Sequence, residues 1–130
     1  MISLDSALQL EALADKIEAA TAPSSSLNSS LLKLVREPAL AIQGIKVASS
    51  AASYTSHIET ALKLRPQGYR VSFQELQFPP PFAVVSFERM SPIASERLVG
   101  AGGKGATLEL ALCAAIARTW AMIVRNNLPA

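Results

Sequence analysis

Hydrophobic periodicity predicts a long amphipathic helix at the start of the chain, over residues 4–20. Apolar side chains recur there every three or four positions, which places them on one face of a helix. Ser3 is placed to accept a hydrogen bond from the first turn and so to begin the helix. The apolar face comprises Leu10, Leu13, Ala14 and Ile17, and the opposite, acidic face comprises Glu11, Asp15 and Glu18.

Two further helices are predicted before the pattern changes. The serines at 24–26 offer caps for a shorter second helix, which we expect to end at Pro38 because proline lacks the N–H that a helix interior needs. Residues 39–53 show neither period and predict a long connection or an irregular strand. A third helix, capped by Ser53 or Thr55, carries its apolar stripe on Ile58, Ala61 and Leu62 and closes at Pro66 and Gly68.

Strict alternation of apolar and polar residues then predicts a half-buried strand over residues 69–74. The alternation slips at Glu75, which predicts a bulge or the end of the strand. The prolines at 79–81 form the connection, since they cannot donate hydrogen bonds within a sheet. A second strand follows at 82–88, and a short third strand is predicted near 96–99.

The last predicted element is a helix over residues 107–125, which follows a glycine-rich turn at 100–105. Apolar residues that include Leu112, Ile116 and Trp120 cover more than half of its circumference, so we expect it to pack in the centre of the protein. The predicted fold class is α+β, with N-terminal helices, a small antiparallel sheet of two to three strands and a long C-terminal core helix, layered like an α/β/α sandwich.

Composition limits the classes of protein that this chain can represent. Its 130 residues form one domain, and a hydrophobic fraction of 50% excludes a disordered chain. The formal net charge of +2 is too small to indicate a nucleic-acid partner by itself. The single cysteine cannot form a disulfide within the chain, and one cysteine with one histidine cannot supply the four ligands of a tetrahedral zinc site. We expect no metal and no cofactor.

Targeting and membrane signals are not predicted. No basic residue precedes Lys16, which argues against a secretory signal. The longest apolar run, at 110–117, is far shorter than the roughly 20 residues that a spanning helix needs. We therefore expect a cytoplasmic protein without a membrane partner.

Residue types that could support catalysis are present but scattered. The segment at 100–105 contains Lys104 before a helix, yet it matches neither the P-loop nor the dinucleotide-binding spacing. His57 has no cysteine or second histidine nearby, and Cys113 lies in the apolar arc of the last helix. We therefore predict no catalytic site and a non-enzymatic protein.

Three stretches resemble the phage ABA sandwich domain, a family of small proteins encoded by bacteriophages and prophages. They are LADKIEAATAPSSSLNSSLLKLV at residues 13–35, YTSHIETALKLRPQGY at 54–69 and ATLELALCAAIA at 106–117. Tyr69 stands where the family usually has Trp, and Leu108 stands where it has Pro. The resemblance implies a single domain of this type over residues 1–130, in the cytoplasm of a bacterial host, and it implies no reaction.

A second resemblance is to the end of a double-stranded-RNA-binding domain, in which a helix N-terminus and its lysines contact phosphates. The shared features are the succession of strands, the segment GAGGKG and an alanine-rich helix. Glu109 in the first turn of the helix would repel a phosphate backbone. This alternative function would use Lys104, Arg70, Arg89 and Arg97 on one face.

The leading prediction is an accessory protein that binds a host macromolecule, such as an inhibitor of a host defence protein. A protein partner fits a surface on which apolar residues cluster at a proline turn. The candidate surface comprises Phe78, Pro79, Pro80, Pro81 and Phe82.

Self-association into a homodimer is also predicted, because a domain of this size cannot hide all of its apolar surface. The proline turn is one candidate interface. The segment at 39–53 is the other, unless its Ile42, Ile45 and Val47 pack on the helices of their own chain.

Overall fold

A computed structural model describes residues 3–48, 50–76, 82–89 and 100–128 of the chain. Its elements, in chain order, are α1 (Leu4–Ala19), α2 (Ser25–Gln43), α3 (Ile58–Ala61) with a 3₁₀ turn (Leu62–Leu64), β1 (Tyr69–Leu76), β2 (Phe82–Arg89), β3 (Gly100–Gly105) and α4 (Leu108–Asn126). The predicted α+β class is confirmed. None of the helices in these ranges combines the length and the apolar character that a bilayer crossing requires.

Helix α4 is the centre of the core, as predicted. It packs against β2 and β3 on one side and against α1 and α2 on others. Leu112, Ile116 and Trp120 are fully buried. The indole Nε1 of Trp120 donates a 2.7 Å hydrogen bond to the carbonyl oxygen of Leu64, so the one polar atom of this large side chain is satisfied inside the core.

Helix α2 is longer than predicted, because Pro38 lies inside it rather than at its end. The proline removes one helical hydrogen bond, but its ring is buried, and the helix continues into Ala39, which also belongs to the core. The helix ends instead at Gly44, whose φ of 67° is left-handed. The predicted irregular segment therefore begins only after Gln43.

The third helix is a single turn followed by the 3₁₀ turn, and neither predicted cap begins it. Its N-cap is His57, which makes no side-chain capping bond. The Thr55 hydroxyl instead donates to Asn28 Oδ1 at 2.8 Å, while the Thr55 backbone N–H donates to the same oxygen at 2.9 Å. Thr55 thus ties this segment to α2 rather than starting a helix.

The three strands form an antiparallel sheet in the order β1-β2-β3. The pairing of β1 with β2 runs in step from Tyr69–Arg89 to Leu76–Phe82, so the predicted bulge or strand end at Glu75 is wrong. The apolar residues of β1 change from odd to even positions at Leu76. The backbone hydrogen bonds between β1 and β2 continue through this change without interruption.

The predicted glycine-rich turn is itself a strand, β3, which pairs with β2. The predicted third strand at 96–99 lies outside the described residues. Glycine is required in β3 because the strand lies directly against α4. A Cβ added to Gly103 would lie 2.4 Å from the backbone nitrogen of Ala115 and 2.7 Å from the carbonyl oxygen of Ala111. No side chain fits in that space.

Candidate interaction surfaces

A seam of ion pairs joins the antiparallel helices α1 and α4. Arg125 donates two hydrogen bonds to Glu11, at 3.0 and 2.7 Å, and Arg118 donates to Asp15 at 2.8 Å and to Glu18 Oε1 at 2.7 Å. Arg118 is also hydrogen-bonded to the second oxygen of Glu18. These bonds hold the two helices in register.

Sequence reasoning missed this seam, because the acidic residues of α1 were assigned to a solvent-facing side. The signal was present as matched spacing: Glu11 and Glu18 are seven residues apart, as are Arg118 and Arg125. Two such stripes of opposite charge meet when the helices pack antiparallel.

Glu18 and Arg118 also close the outer edge of β3, and we call these two residues the edge cap. The Lys104 backbone N–H donates to Glu18 Oε2 at 2.9 Å, and Arg118 donates to the carbonyl oxygen of Gly102 at 3.2 Å. The hydrogen bonds from Arg118 hold the pKa of Glu18 below its usual value, with the Lys104 N–H adding to the effect. The edge cap supplies the donor and the acceptor that a neighbouring strand would supply.

A groove of about 520 Å³ lies beside the seam, lined by residues that include Asp15, Arg118, Met122 and Arg125. Both arginines in it are already paired with carboxylates of α1. The groove therefore offers mixed charge rather than a free cation.

The structure places the four residues of the predicted nucleic-acid surface as follows. Register puts Arg70 and Lys104 on the same face of the sheet, the face that α4 does not cover. Arg70 is paired with Glu88, its cross-strand neighbour, at 2.9 Å. Arg89 ends β2 as the register partner of Tyr69, and Arg97 lies outside the described residues.

Of the predicted partner surface, Phe78, Pro79, Pro80 and Pro81 lie outside the described residues, and Phe82 begins β2 opposite Leu76. At the other predicted interface, Ile42, Ile45 and Val47 are half-buried against the core of their own chain. Their cover thus comes largely from intramolecular packing.

Exposed leucines occupy a different position, on α1. Leu4 and Leu8 lie one helical turn apart and are 50% and 48% exposed. Ala12, one turn further, is also exposed. We call these three residues the α1 ridge. Asp5 and Asp15 are exposed beside it, so an apolar strip is bordered by negative charge.

The residues weighed for nucleophilic or metal chemistry are not brought together. His57 is exposed, and its Nδ1 is hydrogen-bonded to the Ser56 hydroxyl at 3.1 Å. Cys113 is buried and donates to the carbonyl oxygen of Tyr54. Burial raises the pKa of the Cys113 thiol to about 12. Within the described ranges, no three His, Cys, Asp or Glu side chains are grouped as metal ligands would be.

Comparison with known proteins found no family model, no curated protein and no solved structure that matches this chain.

Proposed function

We propose that this chain is a non-enzymatic accessory protein that binds a host protein through the α1 ridge. The observation that carries the proposal is the pair Leu4 and Leu8, which stay half-exposed on a helix whose other large apolar side chains, Leu10, Leu13 and Ile17, are buried. Two large apolar side chains one turn apart match the spacing with which a helix enters an apolar groove. The partner surface would be an apolar groove with a basic residue at its rim, which complements the exposed Asp5.

A protein partner is favoured over a nucleic acid because several arginines are already engaged in ion pairs within the chain. Arg70, Arg118 and Arg125 each pair with a carboxylate of the same chain. Binding to phosphates releases counterions only from cations that are free to make that contact. The double-stranded-RNA-binding alternative would depend mainly on Lys104, which is exposed on the outer face of the sheet.

The resemblance to the phage ABA sandwich domain supports the remaining part of the proposal. It suggests a phage or prophage origin and a place of action in the cytoplasm of a bacterial host. Inhibition of a defence protein is the activity we propose for such a protein. Binding alone suffices for it, since covering a surface of the target requires no chemistry.

Affinity capture tests the proposal with two variants that change net charge equally. Leu4→Glu with Leu8→Glu adds two negative charges to the ridge, and Lys33→Glu makes the same change in charge at an exposed position on α2. We expect the wild type and Lys33→Glu to retain one protein from a bacterial lysate, and the ridge variant to lose it while its circular dichroism is unchanged. Equal capture by all three proteins, or capture by none, would contradict the proposal.

A further inference from the structure

Within the part of the chain that the structure describes, the two edges of the sheet differ: the edge cap closes β3, whereas no described side chain caps the backbone of Val71 or Phe73 in β1. In the order β1-β2-β3, the only described strand that pairs with β1 is β2. An edge strand with free backbone groups is a template for pairing with another chain. The identity of the pairing chain follows from which groups of β1 are available.

In the middle of β1, the outward-facing backbone groups belong to Val71 and Phe73. In antiparallel pairs the N–H and C=O of a residue point to the same side, and the side alternates along the strand. The backbone groups of Gly102 and Lys104 bond to the edge cap and therefore face away from β2. Their register partners on β2 are Ser86 and Val84, whose backbone groups consequently face β1. Ser86 pairs with Ser72.

It follows that Ser72 bonds to β2, whereas its two neighbours, Val71 and Phe73, direct their backbone groups away from the sheet.

The side chains at this edge are apolar and incompletely covered. Val71 and Phe73 have Phe87 and Val85 as register partners, and both of those are buried beneath α4. Helix α4 packs on β2 and β3, so it does not cover β1 to the same extent. Phe73 consequently remains 42% exposed, although its partner Val85 is fully buried. Among the described residues, therefore, Val71 and Phe73 lack both a backbone partner on their outer side and full apolar cover.

We propose that a second copy of this chain supplies both the backbone partners and the apolar cover. The β1 strands of the two copies pair antiparallel about a two-fold axis at Ser72. An axis perpendicular to the sheet keeps α4 of both copies on the same face and joins the sheets into one of six strands. Val71 then pairs with Phe73 of the partner subunit, and the reverse pair forms by symmetry. The two pairs exchange four backbone hydrogen bonds and set each exposed phenyl ring beside a valine.

The charges at this edge permit self-pairing. Arg70 lies on the outer face and is already neutralised by Glu88 of its own chain. Ser72 meets its symmetry mate in a pair without backbone bonds, where the Cα atoms approach to about 4.5 Å, and its small uncharged side chain sets no like charges against each other. A register centred on Ser72 therefore sets no unpaired like charges against each other and places a small side chain at the axis.

Cysteine cross-linking tests the register directly. Ser72→Cys places two thiols at the axis, within the Cα separation of about 4.4–6.8 Å that a disulfide spans. Ser86→Cys is the matched control, since Ser86 is the neighbour of Ser72 on β2 and lies away from the axis. On a non-reducing denaturing gel after mild oxidation, we expect Ser72→Cys to run as a disulfide-linked dimer that reductant separates, and Ser86→Cys to show no covalent dimer. The native Cys113 is buried and should not contribute.

A backbone variant tests the pairing itself. Val71→Pro removes an N–H that β2 does not use, so the fold should tolerate it at an edge, whereas the dimer loses a hydrogen bond at each end and meets a steric block. Val71→Ala retains the N–H. In sedimentation equilibrium at micromolar concentration we expect the wild type and Val71→Ala near twice the 13.8 kDa of one chain, and Val71→Pro at one chain mass.

A single wild-type species of one chain mass, or cross-linking of Ser72→Cys no greater than that of Ser86→Cys, would overturn the dimer. The dimer does not depend on the α1 ridge, because that ridge and β1 are separate surfaces. The ridge variant should therefore remain dimeric even where capture of a host protein fails, which separates the two proposals.

Discussion

The carboxylate of Glu18 accepts a hydrogen bond from the backbone N–H of Lys104 at 2.9 Å, across 86 positions of sequence. A side chain of α1 therefore occupies the place that a carbonyl oxygen of an adjacent strand would have at β3. Arg118 holds the same carboxylate and also donates to Gly102. Helices α1 and α4 thus do more than pack on the sheet, because their side chains bond to the outer edge of β3 in place of a further strand.

Glu18→Gln should destabilise the protein at neutral pH, because the substitution leaves the partly buried guanidinium of Arg118 with a weaker partner. Hydrogen bonds to charged groups contribute roughly 1.5–3 kcal/mol, so we expect a loss of about that size in urea unfolding at pH 7. Asp15→Asn is the control, since Asp15 bonds the same arginine from an exposed position and should cost less than about 1 kcal/mol. Equal losses would contradict a special role for the edge cap.

The pH dependence of this contribution has a definite sign. Arg118 lowers the pKa of Glu18 below its ordinary value of 4.5, so the carboxylate stabilises the fold above that value and loses its contribution as the pH falls through the lowered one. The difference in unfolding free energy between the wild type and Glu18→Gln should therefore be constant from about pH 6 to 8 and should shrink below 4.5. A difference that persists unchanged in acid would argue against this ion pair.

Gly103→Ala should be strongly destabilising, because the added methyl group would meet the backbone of α4 rather than a flexible side chain. Overpacking costs about 1–3 kcal/mol and more when backbone must move. Gly102→Ala is the control on the same strand, where the nearest atom to the new Cβ is at 3.1 Å and the cost should be smaller. Thermal melts of the two variants compare them, and similar melting temperatures would show that β3 can move away from α4.

Leu112→Ala should cost about 2–5 kcal/mol, as large-to-small substitutions in a packed core do. Leu112 is fully buried in α4, whereas Leu40 is an exposed leucine of α2 and provides the same substitution without a cavity. Leu40→Ala should change the free energy of unfolding by no more than about 0.5 kcal/mol. An unaltered melt for Leu112→Ala would contradict the assignment of α4 to the core.

Local periodicity was sufficient to predict the buried faces of α1 and α4, because Leu10, Ile17, Leu112 and Ile116 repeat at helical spacing and burial follows that repeat. It failed where tertiary contact outweighs local preference. Pro38 stays inside α2 because its neighbours are held in the core.

The glycine strand and the ion-pair seam were missed for a related reason. A run of glycines has no side-chain pattern, so only its pairing with β2 shows that β3 is a strand rather than a turn, and only the approach of α4 explains why Gly103 is a glycine. Likewise, the acidic stripe of α1 looks solvent-exposed until the arginines of α4 are placed opposite it. Both features depend on residues far apart in sequence, which a search for local periods does not compare.

Gel-shift measurements with duplex RNA, duplex DNA and single strands provide the remaining test, which concerns the alternative function. We expect no binding at roughly 1 μM or tighter, since non-specific binding at physiological salt is weaker than that and Arg70 is already paired with Glu88. Lys104→Ala removes the exposed cation of β3, and Lys63→Ala removes one that is exposed elsewhere. Tight, salt-sensitive binding of duplex RNA that Lys104→Ala abolishes and Lys63→Ala preserves would establish the nucleic-acid function instead, because only a site on the outer face of the sheet would distinguish the two lysines.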